Sequence, residues 1–387
     1  MKIAIVGENI NPPWVEGVRN LAYGLAGKLA ESGNEVHIIT KGEAGYQENV
    51  IDRVTFHRVG TPIAMSGPEV LRGLGRDVDV VHFQHFHVHK SFFLWSLLSK
   101  SDVKKVGYVC VPPYLQLQSW ETQLVKRPRE AFTKVQCISH PRLIERMGHV
   151  DKTVATSNYI GHMLNGTGKS HADVIYPFID VAKFAEARKK RDATRLSIGI
   201  SDNDPLLMYV GNHRWIRGED QFLIALAKVR RRFPNAGAVL VTPLPLTRHI
   251  SRLIEHLSLN GSLFFVSRDT PTDIPALYAA SDAYIFSGVS AEAGFAASVD
   301  PPLSVIESLS AGTPVISYAV GEMGHLAAQI GGIKAVPVGN NELLAKSIVK
   351  TLEDGTTLPA TDVLRKNFDA AVQAERFLEI YRQILGS

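Results

Sequence analysis

Along the chain, short runs of consecutive apolar residues alternate with segments whose apolar positions recur every three or four residues. KIAIVGE is followed by a segment with Leu21, Leu25 and Leu29 at i, i+4 and i+8, and then by EVHIIT. A continuous apolar run suits a strand buried on both faces, and an i, i+4 stripe suits one face of a helix, so this opening predicts a βαβ unit. VDVVHFQ, KKVGYVCV, KVQCIS and KTVATS continue the pattern. Strands that are apolar throughout belong in a parallel sheet covered by helices on both sides, which makes residues 1–183 a doubly wound α/β domain.

The rhythm breaks at FAEARKKRDATRLSIGISDNDP, a charged, helix-prone and then polar stretch that reads as a linker over residues 184–204. LLMYVG then opens a second series, followed by AVLVT, SLFFVS, DAYIFS, TPVIS and IKAVPV with helical patterns between them. Residues 205–387 therefore form a second Rossmann-like domain, with the last helix a candidate for packing back on the first.

A chain of 387 residues that is 45% hydrophobic has enough apolar material for two ordinary cores. Its 42 basic and 38 acidic residues leave a formal charge of only +4, so a strong phosphate-seeking field, and with it a general nucleic-acid role, is not expected. The opening lacks the pattern of a signal peptide and no apolar run reaches the roughly 18 residues of a membrane span, which together predict a cytoplasmic protein. Cys110 and Cys137 both fall in strand-like runs and read as buried, reduced thiols.

In doubly wound sheets, ligands bind beyond the carboxyl ends of the strands, and two facing domains would make a cleft there. Two loops fit. In NPPWVEGVRN, Gly17 opens the helix of Leu21, Leu25 and Leu29, whose first backbone N–H groups can receive an anion. In YVGNHRWIRGED, a strand ends at Gly211 and a helix begins near Gly218, leaving Asn212, His213, Arg214 and Arg217 between them. Two arginines in such a loop can hold a diphosphate.

YVGNHRWIRGEDQFLIALAKV, DIPALYAASDAYIFS and PPLSVIESLSAGTPVISYAVGEMGHL resemble the carboxy-terminal domain of the group 1, family 4 glycosyltransferases. VATSNYIGHML with ADVIYPFID is similar to their inter-domain region, and PPWVEGVRNLAYGLAGKLAESGNEVHIIT to their opening βαβ unit. The resemblance implies the GT-B fold and a retaining transferase that moves a sugar from a nucleotide-diphosphate sugar to an acceptor hydroxyl without a metal or other cofactor. Glu307 matches the second glutamate of the family's E-x7-E motif, which implies contact with the nucleotide ribose; a carboxylate suits two hydroxyl donors. By the same resemblance Gly17, Gly211, Asn212, Arg214, Arg217 and Glu307 are donor-binding candidates, and Arg217 and Asp300 are candidates for the chemistry.

The chain also departs from the family. The first glutamate of the motif falls on Val299, with Asp300 one position along and Glu292 nearby as substitutes. Arg217 stands for the usual lysine, whereas Asn212 stands for an arginine and cannot balance diphosphate charge. Pro112 occupies the place of a histidine in the first domain. His82 and the alternating His85, His87 and His89 have metal-like spacing, but no second ligand cluster accompanies them and no metal is expected. These departures keep two other readings open, a sugar-nucleotide 2-epimerase of the same fold and a non-catalytic sugar-nucleotide-binding partner subunit.

For the acceptor, residues 126–152 carry seven Lys and Arg against three Asp and Glu, with Tyr108, Tyr114 and Trp120 upstream. Cations flanked by interfacial aromatics predict peripheral contact with an anionic membrane surface, led by Lys126, Arg127 and Arg129, and a lipid-linked or polysaccharide acceptor.

Overall fold

The computed structural model describes residues 1–7, 10–11, 17–42, 45–60, 63–74, 77–84, 103–112, 150–165, 172–201, 203–267, 272–289 and 299–386. The chain divides into two compact units. The first contains Met1–Phe178, a short stretch ending at Asp300, and Ala370–Ser387; the second contains the remainder between Ile179 and Asp369.

The sheet of the first unit has eight strands: β1 (Lys2–Val6), β2 (Glu35–Lys41), β3 (Gln47–Ile51), β4 (Val54–Val59), β5 (Val80–Gln84), β6 (Lys104–Val109), β7 (Lys152–Ala155) and β8 (Asp173–Val174). They lie in the order β3-β4-β2-β1-β5-β6-β7-β8, and all pair in parallel except β3 with β4. That hairpin has no counterpart in the sequence pattern. Its turn, Asp52-Arg53, places both residues at positive φ (48° and 67°), the geometry of a two-residue hairpin turn. Asn-Gly or Asp-Gly normally signals such a turn, so Asp-Arg left no mark, and β3 is exposed along most of its length with no apolar alternation to betray it.

The stripe read from the sequence is a core face: Leu21, Leu25 and Leu29 of the helix Gly17–Glu31 are fully buried. The final helix, Ala370–Leu385, belongs to this same unit and brings Phe377 and Tyr381 against His82 and Tyr108 of the sheet. The Tyr381 hydroxyl lies 2.7 Å from His82 Nδ1 and Gln84 Oε1 lies 3.2 Å from its Nε2. Nε2 therefore carries the proton and Nδ1 accepts from the phenol. Burial depresses the His82 pKa to about 4, which keeps the ring neutral.

Tyr108 does not fit its expected place at a lipid boundary. It is fully buried and donates its hydroxyl to the Ile175 carbonyl at 2.9 Å, because β6 is an inner strand that is buried from Lys105 to Val109. Cys110 is fully buried.

The second unit carries six strands, all parallel: β9 (Leu206–Val210), β10 (Gly237–Thr242), β11 (Leu263–Ser267), β12 (Ala283–Phe286), β13 (Val315–Tyr318) and β14 (Ile333–Val336). Their order, β11-β10-β9-β12-β13-β14, reverses direction between β9 and β12. Such a reversal sends the connections after the two strands to opposite faces of the sheet, and ligands of doubly wound folds bind there, beyond the carboxyl ends of the strands.

The stretch 184–204 differs from a linker. It is helical over Val181–Glu186, Ala187–Lys190 and Arg191–Ser197, and it is built into the second unit. Arg195, only 1% exposed, donates to the carbonyls of Ala280 (2.9 Å), Ser201 and Asp204 (both 2.6 Å) and pairs with Asp282 at 3.4 Å. A buried guanidinium whose two terminal nitrogens bond three carbonyls and a carboxylate fixes this segment. Its charge made it look solvated in sequence.

Among the described residues no helix is long and apolar enough to cross a membrane.

Candidate functional site

The loop after β9 is shaped by hydrogen bonds at each step. Gly211 extends the strand ladder, its N–H reaching the Val241 carbonyl at 3.0 Å. Asn212 Oδ1 accepts from the N–H of Arg214 (3.1 Å), an Asx turn that presents the exposed Arg214 at the start of a 3-10 turn, Trp215–Arg217. Gly218 then turns the chain at φ 67° into the helix Glu219–Val229.

That position requires glycine. A Cβ on Gly218 would fall on the Ser287 carbonyl oxygen, in a backbone region L-residues seldom adopt. The close approach is held by Ser287 Oγ donating to the Gly218 carbonyl (2.7 Å) and the Val289 N–H donating to the Ile216 carbonyl (3.0 Å). The loops after β9 and β12, the two strands at the reversal, are thereby locked together. Beside them the helix of Glu219 offers the N–H groups of its first turn.

Glu307 sits in the helix Leu303–Ser310, with the Tyr278 hydroxyl donating to its Oε2 at 3.1 Å. Next to it Tyr284, from β12, donates to Ser304 Oγ at 2.8 Å. Burial raises the Tyr284 phenol well above its ordinary pKa, the Ser304 hydrogen bond opposes this, and the charges of Glu307 and Arg217 act on it in opposite directions. Tyr209, buried beneath the loop, donates to the Arg217 carbonyl at 3.3 Å.

Of the residues singled out in the sequence, Gly211, Asn212, Arg214, Arg217 and Glu307 belong to this neighbourhood in the second unit. Gly17 and Asp300 belong to the first. Gly17 is the first residue of its helix. Asp300 is 3% exposed; its Oδ2 accepts from Ser157 Oγ at 2.7 Å and its N–H donates to the Cys110 carbonyl at 3.1 Å. Ser157 Oγ in turn accepts from the Ile160 N–H at the start of the helix Asn158–Asn165. Val299 and Pro112 are buried. Glu292, His85, His87, His89, Tyr114, Trp120, Cys137 and the basic run with Lys126, Arg127 and Arg129 lie outside the described residues. Among the described residues, no group of three or more His, Cys, Asp or Glu is placed to hold a metal.

Sequence reading passed over Tyr278, Tyr284, Ser304, Tyr209 and Glu219. The tyrosines sit within apolar runs, where a ring reads as core, and only the fold shows that their hydroxyls reach polar partners at the strand ends.

Two Rossmann-like units, the second with a glycine-turned basic loop and a carboxylate at its strand reversal, define a GT-B protein. The chain belongs to the group 1, family 4 glycosyltransferases: residues 190–371 match the family model "Glycosyl transferases group 1" and residues 15–183 match "Glycosyltransferase Family 4". An uncharacterized glycosyltransferase of Methanocaldococcus jannaschii is 22% identical over 92% of this chain and 90% of its own length. A D-inositol 3-phosphate glycosyltransferase of Rhodococcus erythropolis is 27% identical over 42% of this chain and 36% of its own. Among solved structures, sucrose-phosphate synthase from Thermosynechococcus elongatus superimposes with a TM-score of 0.75 at 17% identity, covering 100% of this chain and 99% of that one. Anabaena HepE in complex with UDP-glucose does so with a TM-score of 0.72 at 15% identity, covering 99% and 100%.

Proposed function

We propose that the protein is a retaining hexosyltransferase that moves a sugar from a nucleotide-diphosphate sugar to a hydroxyl of a glycan or lipid-linked acceptor. The observation that carries this reading is the geometry at the strand reversal of the second sheet, where the Gly218 turn fastens the loop of Arg214 and Arg217 to the loop after β12 and the Tyr278 hydroxyl orients the Glu307 carboxylate. In this reading Glu307 accepts from the ribose hydroxyls while Arg217, Arg214 and the first-turn amides of the Glu219 helix face the diphosphate. HepE, a structural neighbour, holds UDP-glucose, and that donor class suits the loop found here.

The chemistry follows from where charge grows. As the glycosidic bond to the diphosphate breaks, the sugar becomes oxocarbenium-like and negative charge collects on the leaving group. A fixed guanidinium and oriented N–H groups stabilise that state more than the bound donor. Asn212, neutral where a cation is usual, stabilises the turn instead, leaving Arg217 the larger share of the charge balance. Gly17 remains a donor-side candidate through the amides of its own helix. Asp300, with its carboxylate on Ser157, acts by positioning the chain just ahead of the Glu307 helix.

Incubation with UDP-, GDP- and ADP-hexoses, followed by release of the nucleoside diphosphate and transfer to glycan and lipid-linked acceptors, tests the reading. Turnover of one donor with retention at the anomeric carbon is expected. Interconversion of the donor sugar without transfer would make the protein a 2-epimerase, and binding without turnover a partner subunit. For the acceptor, flotation with anionic vesicles at low salt supports the lipid-linked class, and failure to float at any salt favours a polysaccharide.

A further inference from the structure

His213 lies inside the donor loop, and both of its ring nitrogens face oxygen. Nε2 is 2.8 Å from the Pro243 carbonyl, which follows β10, and Nδ1 is 2.8 Å from Glu219 Oε2, the first residue of the helix that opens the site. The other carboxylate oxygen of Glu219 accepts from Thr242 Oγ1 at 3.3 Å. Glu219 is 3% exposed and the side chain of His213 16%.

Proton bookkeeping fixes what this arrangement is. A carbonyl oxygen only accepts, so Nε2 carries a proton. A carboxylate without a proton also only accepts, and a lone pair on Nδ1 would then face a lone pair on Glu219 at 2.8 Å. The hydrogen bond exists only if the pair holds one more proton, as imidazolium and carboxylate or as neutral ring and carboxylic acid. The pair ties three pieces of chain together: the loop of Asn212 and Arg214, the end of β10, and the helix N-terminus beyond Arg217.

We propose that His213 and Glu219 form a proton-sharing clamp that holds the β9 loop in its donor-binding shape, making both of them positioning residues for the transfer reaction. The inference rests on the donor-site reading above. The loop's other restraints hold its two ends: the Gly211 N–H bonds the Val241 carbonyl at the start, and Ser287 and Val289 fasten Ile216 and Gly218 at the finish, whereas the His213 side chain reaches sideways from the middle to the Pro243 carbonyl after β10. Without the clamp the stretch from Asn212 to Arg214 keeps its local Asx turn and the backbone bond of Gly211, and loses its side-chain tie to the end of β10. The cations would then be present without being aimed, and a displacement of about an ångström at a site of this kind is felt as a large loss of affinity or rate.

The clamp makes an unusual demand on its variants. In Glu219→Gln the amide N–H can donate to an unprotonated Nδ1 while the amide oxygen still accepts from Thr242, so the same three segments are joined with no extra proton. His213→Ala and Glu219→Ala break the connection. Calorimetric titration of the full-length protein with UDP, GDP and ADP, alongside thermal unfolding, reads the outcome on whichever diphosphate the parent binds best. His213→Ala and Glu219→Ala are expected to weaken it about tenfold, and Glu219→Gln to stay within about twofold of the parent. Parent-like binding by His213→Ala overturns the clamp, as does a Glu219→Gln variant that binds as poorly as Glu219→Ala or fails to fold. A parent that binds none of the three nucleotides overturns the donor-site reading instead.

Discussion

The hydroxyl of Tyr278 donates to Oε2 of Glu307 at 3.1 Å, joining two helices of the second unit, Ile274–Ala280 and Leu303–Ser310. A neutral donor of this kind orients a carboxylate without neutralising it, so the group keeps its charge and gains a fixed direction. Replacing Glu307 by Gln preserves shape but exchanges one acceptor for a donor. Affinity for the nucleoside diphosphate is expected to fall about tenfold, the range of a hydrogen bond to a charged group, and Tyr278→Phe to cause a smaller loss. Calorimetry on both variants checks this; equal affinities in the parent and Glu307→Gln would place the carboxylate outside the site.

Arg217 faces the leaving group in the proposed reaction, and its effect should appear mainly in turnover. Arg217→Ala is expected to lower kcat about a hundredfold with a lesser rise in KM, the pattern of a group that matters most as charge develops. Steady-state kinetics separate the two. A raised KM at unchanged kcat would assign the guanidinium to ground-state binding.

Gly218→Ala tests the close approach between the two loops. Its methyl group would meet the Ser287 carbonyl at a φ of 67°. The substitution should cost roughly 1–3 kcal/mol of stability and weaken nucleotide binding as well, because the turn has to open. Denaturant unfolding and titration of the same preparation measure both effects. A variant as stable as the parent would show that the contact yields easily.

Stability should depend on pH through His82. Its folded pKa, about 4, lies below the unfolded value near 6.5, so on acidification the unfolded chain takes up the proton first. This contribution is fully present above pH 6.5, shrinks as pH falls, and is gone by about pH 4, a loss of roughly 3 kcal/mol. Denaturant midpoints measured across that window should fall for the parent and flatten in a His82→Phe, Tyr381→Phe double variant, which removes the ring and its hydrogen-bond partner together. The same slope in both proteins would assign the effect to other groups.

Much of the fold was legible because the parallel strands are apolar throughout and the stripe of Leu21, Leu25 and Leu29 marks a buried face. The hairpin of β3 and β4 was not, since an Asp-Arg turn carries no glycine and an exposed edge strand needs no pattern. The segment 184–204 misled because Arg195 is charged yet buried, its terminal guanidinium nitrogens bonded to carbonyls that lie 6 and 9 residues ahead and 85 residues away along the chain. In the site, loop residues bounded by Gly211 and Gly218 could be read from the strand-turn-helix pattern. The tyrosines under them could not, because a hydroxyl on an otherwise apolar residue shows its partner only after folding.

The last helix of the chain covers the sheet formed by its beginning, where Phe377 and Tyr381 meet His82 and Tyr108. Linear order and physical halves therefore do not coincide. A chimera that grafts a relative's carboxy-terminal half onto this protein at residue 183 would also import a foreign covering helix for the native amino-terminal core, together with whatever residue stands in place of Tyr381. A crossover that skips that helix avoids this: a double junction, leaving and returning near Ile179 and Asp369, transplants the second unit, together with the short stretch ending at Asp300 that belongs to the first, and keeps the host's own closing helix. The two junctions already lie side by side, for Ile179 and Asp369 form a parallel β-bridge.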